Sequence, residues 1–124
     1  MLLDLFQKSM KSFGANEHFR YGLACSGGVD SMVLAELMYR SALPFQLLHV
    51  NYGLRQEADT DEAFVRRWAE KRSITYHMRK VEENEWKAFE RKGIQHAART
   101  IRYAFFDELK QAGEFDFILT AHHV

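Results

Sequence analysis

The sequence has few of the residues that build several kinds of functional site. It contains one cysteine, Cys25, among 124 residues. An internal disulfide is therefore excluded, and a cysteine zinc site or iron–sulfur cluster would have too few ligands. Seventeen basic residues balance seventeen acidic ones, so the formal net charge is zero. Bulk charge gives no support for nucleic-acid binding, which would need a local basic patch or another domain.

Long apolar runs are also absent. No stretch is long enough to span a bilayer, and the N-terminal MLLDLFQKSMKSF carries Asp4 and lacks the apolar core of a signal peptide. We therefore expect a cytoplasmic protein with no membrane partner. Hydrophobic residues make up 47% of the chain, which excludes disorder, and its length fits one compact domain.

Short apolar runs alternate with longer amphipathic segments. The patterns predict strands over residues 19–25, 45–50, 74–78 and 115–121. They predict four helices: one at the N-terminus, one over residues 30–41, one that begins near residue 59 and one over residues 94–111. For the third helix we expect a capping box, with Asp59 as the N-cap and Glu62 as its partner. Such alternation predicts an α/β fold, a parallel sheet with helices on both faces. Ligands in such sheets bind where the strands end, which makes residues 26–31, 49–55 and 122–123 the informative ones.

Two of these helices have a predicted core face. On the helix over residues 30–41 we expect it to be formed by Val33, Leu34, Leu37 and Met38. On the helix over residues 94–111 we expect Ile94, Ala98, Ile101, Phe105 and Leu109. The chain ends at Val124, directly after the fourth predicted strand and without a helix to cover it. We therefore expect residues 1–124 to be the N-terminal part of a longer protein.

The segment SGGVDS, residues 26–31, joins the first predicted strand to the next helix. Its two glycines permit backbone angles that turn successive N–H groups inward, and the helix dipole points to the same place. Ser26 and Ser31 add hydroxyl groups, so the loop suits a phosphate or pyrophosphate. It lacks the lysine of the G-x-x-x-x-G-K-[ST] loop, and G-x-G-x-x-G is absent. The glycines alone are equally typical of a tight turn with Asp30 or Ser31 capping a helix.

Asp30 is the unusual member of this loop. A carboxylate beside polyphosphate would repel it unless a hard cation lies between them. Mg²⁺ is held in this way, by a carboxylate together with phosphate oxygens. The loop therefore predicts a phosphate or pyrophosphate group with Mg²⁺ bound at Asp30.

Four segments together resemble one enzyme family. SGGVDS resembles the PP-loop of the N-type ATP pyrophosphatases, which have an adenine-nucleotide alpha-hydrolase-like, Rossmann-like domain. LHVNYGLR (48–55), GIQHAARTIRYAFF (93–106) and ILTAHH (118–123) are similar to motifs of the tRNA(Ile)-lysidine synthetases within that superfamily. Tyr52 stands where the family has a second histidine, and the chain ends before the family's final Asp and Glu. The resemblance begins near Tyr21 and includes none of the family's C-terminal tRNA-binding domains.

The resemblance implies a two-step ligation. The C2 carbonyl oxygen of the wobble cytidine of isoleucine tRNA, with a CAU anticodon, attacks the α-phosphate of ATP and releases pyrophosphate. The ε-amine of free lysine then displaces AMP from C2. ATP, Mg²⁺, tRNA(Ile) and lysine are the implied cofactors and partners, and a homo-oligomer stays open. The 124-residue chain by itself is expected to be inactive.

The resemblance also assigns residues to the site. It implies ATP-binding roles for Ser26, Gly27, Gly28, Asp30, Ser31, His49 and Asn51. It implies catalytic roles for Asp30, Arg99, Arg102 and His123, and a tRNA contact for Arg55. Arg99 and Arg102 lie three residues apart and project to roughly the same side of a helix, which is equally typical of a solvated face. A buried structural imidazole is the alternative for His49.

Three other interpretations stay open. One is a related PP-loop enzyme of tRNA 2-thiolation, although such enzymes carry paired cysteines and this chain has only Cys25. Another is a non-catalytic ATP-binding module. The third concerns the basic residues of segment 66–80, which are either a solvated helix face or a contact for the tRNA backbone: Arg66, Arg67, Lys71, Arg72, Arg79 and Lys80.

Overall fold

The computed structural model describes residues 1–14, 18–88 and 93–121. Over these residues the helices are α1 (Leu2–Ser12), α2 (Val29–Arg40), α3 (Ala58–Lys71), α4 (Glu83–Lys87) and α5 (Ile94–Gln111). The strands are β1 (Tyr21–Ala24), β2 (Phe45–Asn51), β3 (Tyr76–Lys80) and β4 (Phe117–Thr120). None of the helices in these ranges combines the length and the apolar character needed to cross a membrane.

The four strands form one sheet in the order β3-β2-β1-β4, and each neighbouring pair is parallel. In the register, Ala24 at the end of β1 lies opposite Leu48 of β2 and Thr120 of β4. The chain leaves β1 toward β2 on one side and returns to β4 on the other, so the order reverses beside β1. Such a switch point opens a crevice beyond the carboxyl ends of the strands, and residues 26–31 follow β1 into it.

The sheet is covered on both faces, as the alternation predicted. Successive side chains of β2 point to opposite faces: Leu47 belongs to the cluster with Ala35 of α2 and Val65 of α3, whereas Leu48 packs with Phe106 of α5. Both leucines are fully buried. The predicted α/β fold is confirmed.

One glycine in β1 is needed for this packing. A Cβ on Gly22 would lie 2.8 Å from the ring of Phe115, too close for any side chain. Phe115 is itself among the most buried residues. The absence of a side chain at Gly22 therefore lets this ring lie flat on the central strand.

Several helix and strand details differ from the sequence predictions. β3 begins at Tyr76, two residues later than expected, and the short helix α4 was missed. The predicted capping box at Asp59 is wrong: the N-cap of α3 is Glu57, without a side-chain cap, and the Asp59 carboxylate accepts a bond from Asn51 instead. A capping box is found in α4, between Glu82 and Glu85.

The predicted core faces of two helices are confirmed only in part: Ile101 and Met38 are buried as expected, and Leu34, Phe105 and Leu109 pack against the core. In α5 the buried residues are Ala97, Ile101 and Phe106, while Ile94 is 58% exposed. In α2 they are Ser31, Ala35 and Met38, and Val33 is exposed. The spacing of the apolar residues in α2 and α5 is compatible with more than one buried face, and packing against the sheet determines which face is buried.

Candidate functional site

A cavity of about 790 Å³ lies at the carboxyl edge of the sheet, beside the switch point. Its wall is formed by the SGGVDS loop, the end of β2 with the loop that follows it, α5 and the end of β4. Seven of the site residues predicted from the sequence line this cavity: Ser26, Gly28, Ser31, His49, Asn51, Arg55 and Arg102. Segments up to 76 residues apart in sequence thus meet around one space, because parallel strands end at the same edge.

Hydrogen bonds within the SGGVDS loop centre on the buried hydroxyl of Ser31. The Ser26 backbone N–H donates to Ser31 Oγ over 3.2 Å, and Ser31 Oγ donates to the Gly28 carbonyl over 3.1 Å. The Gly28 N–H donates to Ser26 Oγ, also over 3.2 Å. In this structure both hydroxyls hold the shape of the loop. Gly28 is the N-cap of α2 and brings no capping side chain, so the positive end of that helix faces the loop without a side-chain cap.

Gly27 is required for two reasons. Its φ of +88° lies in the left-handed region that side chains disfavour. A Cβ there would also lie 3.2 Å from Cβ of Asp61 on α3. The loop therefore rests closely against the first turns of α3.

Asp61 is a site residue that sequence reasoning missed, because it was read only as part of a helix start. Its carboxylate lines the cavity and accepts a hydrogen bond from Arg55 Nη2 at 2.6 Å. Arg55 was predicted to contact tRNA, and here Asp61 holds it beside the SGGVDS loop, which we refer to below as the phosphate loop. The pattern HVNYGLR drew attention to Arg55 but carried no signal for its partner.

The side chain of Asn51 is bonded within the protein at both ends. Its Oδ1 accepts the Gly53 N–H at 2.9 Å, and its Nδ2 donates to Asp59 at 2.8 Å. With an exposed fraction of 1%, Asn51 shapes the turn that follows β2. That turn carries Tyr52 and Arg55 into the cavity wall.

His49 is buried at the end of β2. Its Nδ1 lies 2.7 Å from the carbonyl oxygen of Cys25, the last residue before the SGGVDS loop. Cys25 is buried as well, and this burial raises the pKa of its thiol, although a hydrogen bond to Ser31 opposes the shift. The thiol is therefore held in its protonated form as a small buried group.

The two arginines of α5 are placed differently. Arg102 lines the cavity and Arg99 does not, although both guanidinium groups lie over the ring of Tyr103, at 5.3 and 5.5 Å. Burial raises the pKa of Tyr52, while the charge and hydrogen bond of Arg102 oppose that shift. Arg102 and Tyr52 both line the cavity. Among the described residues, no carboxylate lies within ion-pair distance of Arg102, in contrast to Arg55.

Two predicted residues need separate mention. Asp30 is exposed in the first turn of α2 and does not line the cavity itself. His123, with its neighbour His122, lies outside the described residues. Over the ranges that are described, no group of three or more His, Cys, Asp or Glu side chains could hold a metal.

Most of the basic residues in segment 66–80 have acidic partners. Arg66 pairs with Glu62 at 3.2 Å, and the Arg72 guanidinium pairs with Glu36 and lies 4.3 Å from the ring centre of Trp68. Arg79 pairs with Glu85, and Lys80 with Asp59. Within the described part of the chain, Arg67 and Lys71 are the members without such a pair. Because acidic side chains balance most of these charges, the structure favours a solvated surface over a tRNA contact for segment 66–80.

The chain belongs to the PP-loop domain family, whose model matches residues 2–124. Membership implies that it binds ATP. It is 36% identical to the tRNA(Ile)-lysidine synthase of Streptococcus thermophilus over 127 aligned positions. This alignment covers 99% of this chain and 28% of the relative. The tRNA(Ile)-lysidine synthase of Petrotoga mobilis is 33% identical, over 100% of this chain and 43% of the relative. The chain therefore spans less than half of the length of these relatives.

Solved structures support the fold. The U34-tRNA thiolase NcsA from Methanococcus maripaludis superposes with a TM-score of 0.74 at 18% identity, over 94% of this chain and 43% of that one. The NH3-dependent NAD synthetase from Campylobacter jejuni superposes with a TM-score of 0.68 at 16% identity, over 98% and 53%. At these identities the similarity concerns the fold.

Proposed function

We propose that this polypeptide ligates lysine to C2 of the wobble cytidine of isoleucine tRNA, as the names of its relatives indicate. In this reaction the C2 oxygen of the cytidine attacks the α-phosphate of ATP, and pyrophosphate leaves. The lysine amine then forms the C2–N bond and AMP leaves. The observation that carries the proposal is the cavity at the end of β1, where the SGGVDS loop, the HVNYGLR turn and Arg102 meet.

The SGGVDS loop suits the leaving pyrophosphate. Negative charge builds on the β- and γ-phosphates during the first step, and fixed N–H dipoles stabilise such charge. The open N-terminus of α2 supplies those dipoles, and Gly27 lets the loop turn its backbone toward the ligand. Arg102 lines the same cavity, so its guanidinium would be available to the α-phosphate.

Mg²⁺ fits the donor chemistry beside this loop. Asp30, exposed in the first turn of α2, offers one hard carboxylate, and Mg²⁺ typically takes one or two carboxylates together with phosphate oxygens and water. The ion would neutralise charge on the polyphosphate. Asp30 is the residue that we propose to hold it.

Arg102 and Arg55 are the cations of the cavity wall. Arg102 lacks a carboxylate partner in the described part of the chain, so an anion of the substrate, a phosphate of ATP or of tRNA, can pair with it through two N–H groups. Arg55 also lines the cavity and is held there by Asp61. We propose that Arg102 and His123 act at the reaction centre and that Arg55 contacts the tRNA, while Arg99 lies outside the cavity wall.

Tritiated lysine incorporation tests the proposal. The full-length polypeptide is incubated with ATP, Mg²⁺, labelled lysine and an isoleucine tRNA transcript with a CAU anticodon. We expect tRNA-dependent pyrophosphate release together with one lysine per tRNA, and none with a transcript whose wobble cytidine is replaced by uridine. Pyrophosphate release without lysine incorporation would indicate a different PP-loop reaction, and ATP binding without release would indicate a binding module.

The 2-thiolation alternative gains no support from the site. Cys25, the only cysteine of the chain, is buried beneath the phosphate loop and bonded to Ser31. It provides no exposed thiol for sulfur transfer. Free lysine as a substrate, a homo-oligomeric state and cytoplasmic localisation stay predictions of this proposal.

A further inference from the structure

The peptide unit that joins Cys25 to Ser26 is held at both of its polar ends. Its carbonyl oxygen, on Cys25, lies 2.7 Å from Nδ1 of His49. Its N–H, on Ser26, donates to Ser31 Oγ at 3.2 Å. This peptide unit is the junction between β1 and the phosphate loop, so its orientation sets the direction in which the loop leaves the sheet.

The bond to Cys25 fixes the tautomer of His49. A carbonyl oxygen can only accept, and therefore Nδ1 carries the proton. Nε2 is then left with a lone pair. It is buried, and among the described residues it has no hydrogen-bond partner. Within the described part of the chain, the hydrogen bond that His49 makes through its ring is therefore the one to the loop junction.

His49 and Ser31 belong to different elements that meet only in the folded chain. His49 lies in β2, whereas Ser31 lies in the first turn of α2. Both are buried, with exposed fractions of 3% and 5%. Ser31 also bonds the Gly28 carbonyl, which connects the junction to the N-cap of α2. We call these hydrogen bonds of His49 and Ser31 to the Cys25–Ser26 peptide the clamp. The clamp links β2, the junction and the N-terminus of α2.

We propose that His49 is a positioning residue of the phosphate loop: its Nδ1–H locks the Cys25–Ser26 peptide so that the loop is formed before ATP arrives. His49 then affects ATP affinity through Cys25 and makes no contact with the nucleotide itself. The inference rests on the proposed function in that it takes this loop as the polyphosphate site. A loop that is already ordered loses less conformational entropy on binding, which is the physical source of the gain in affinity.

Two substitutions separate the positioning role from a ligand contact. The side-chain nitrogen of asparagine lies as many bonds from Cα as Nδ1 of histidine, and the nitrogen of glutamine as many as Nε2. His49→Asn therefore keeps a donor for the Cys25 carbonyl, while His49→Gln moves it away. We expect the Kd for MgATP of the full-length polypeptide, measured by calorimetry, to stay within about threefold in His49→Asn and to rise about tenfold in His49→Gln, a loss of about 1.4 kcal/mol.

Other results would overturn the inference. An equal loss of affinity in both variants would assign His49 to packing, and a loss in His49→Asn with retention in His49→Gln would place a nucleotide contact at Nε2. The ¹⁵N spectrum of the native protein gives a test that needs no variant: His49 must show a protonated Nδ1 and a bare Nε2. The opposite tautomer excludes the clamp.

A second pair of variants keeps the test decisive where a histidine variant fails to fold. Ser31→Ala removes the other anchor of the same peptide, and Ser41→Ala removes a buried hydroxyl that has no partner among the described residues. We expect Ser31→Ala to raise the Kd for MgATP and Ser41→Ala to leave it unchanged. Combined with His49→Gln, Ser31→Ala should add less than its separate effect, because both act on one peptide. Full additivity would contradict the clamp.

Failure of the proposed function is distinguishable from failure of this inference. A polypeptide that binds MgATP but incorporates no lysine into tRNA contradicts the proposed function, while the comparison of Asn with Gln at His49 still decides the clamp.

Discussion

The guanidinium of Arg55 lies 2.6 Å from the carboxylate of Asp61, and a Cβ added at Gly27 of the phosphate loop would lie 3.2 Å from Cβ of the same aspartate. The pair places a positive and a negative charge side by side in the wall of the cavity that we propose for ATP. Its net charge is near zero as long as both partners are present. Changing one partner therefore changes the field that the polyphosphate meets.

We expect neutralisation of the two partners to have opposite effects. Asp61→Asn leaves an unpaired Arg55 beside the loop and should tighten MgATP binding about threefold, whereas Arg55→Gln should weaken it by a similar factor. Both effects should fade at about 0.5 M salt, because exposed charges are screened. The Kd measured at two salt concentrations checks this. Arg66→Gln, which breaks a comparable ion pair outside the cavity wall, is the control and should change nothing.

Gly27→Ala tests whether the loop conformation is needed for ATP. Both Gly27 (φ +88°) and Gly113 (φ +82°) are in the left-handed region, but only Gly27 has a neighbour in reach of a new Cβ. Each alanine should lower the free energy of unfolding by about 1–2 kcal/mol. Only Gly27→Ala should also raise the Kd for MgATP more than about tenfold, because the loop must shift away from Asp61. Equal affinities in the two variants would contradict a direct role of the loop.

The two arginines of α5 should differ in their effect on catalysis. Arg102→Ala removes the cation of the cavity wall and should lower kcat/KM for pyrophosphate release about 10²-fold, as is typical for loss of a charge-stabilising donor. Arg99→Ala should lower it less than about threefold, since Arg99 does not line the cavity. Steady-state kinetics of the two variants checks the order. A larger effect at Arg99 would assign the phosphate contact to that residue.

Asp30→Asn tests the proposed metal ligand. An amide keeps the size of the side chain but removes its charge, so the Mg²⁺ concentration needed for half-maximal pyrophosphate release should rise, by about tenfold. Asp4→Asn, which neutralises an exposed first-turn carboxylate of α1, is the matched control. A Mg²⁺ dependence that is the same in native protein and Asp30→Asn would exclude this role.

The ion pair of Arg79 with Glu85 should affect acid stability. The hydrogen bond from Arg79 lowers the pKa of Glu85 from 4.5 to about 2. A carboxyl group with a depressed pKa stabilises the fold above its unfolded value, and that contribution is lost as the pH falls from 4.5 toward 2. Glu85→Gln should thus cost about 0.5–1 kcal/mol at neutral pH, the range of partly exposed pairs, and nothing at pH about 2.

Thermal unfolding of Glu85→Gln between neutral and acidic pH checks this expectation. The neighbouring Glu83→Gln serves as control, because Glu83 is exposed in the same first turn of α4 and shows no such pair among the described residues. A difference from native protein that persists unchanged at low pH would show that the Arg79 pair is not its cause.

Local patterns in the sequence determined the architecture and the position of the phosphate loop. The period of the apolar residues reports whether a segment is a strand or a helix, and SGGVDS after a strand carries its turn chemistry within six residues. The expectation of a parallel sheet with a ligand edge followed from these signals alone. Bounds shifted by a residue or two, as in β3, because strand ends depend on the neighbouring strand as well as on their own sequence.

The tertiary structure decided which side chains meet. Sequence periodicity does not predict the hydrogen bond of His49 to Cys25 or that of Asn51 to Asp59. Nor does it predict the close approach of Asp61 to Gly27. It also separated Arg102 from Arg99, which equal spacing on one helix could not do. The reason is that the partners are set by strand register and by the rotation of each helix on the sheet, and these depend on packing across the whole core. The sequence thus located the loop, and the fold determined what holds it.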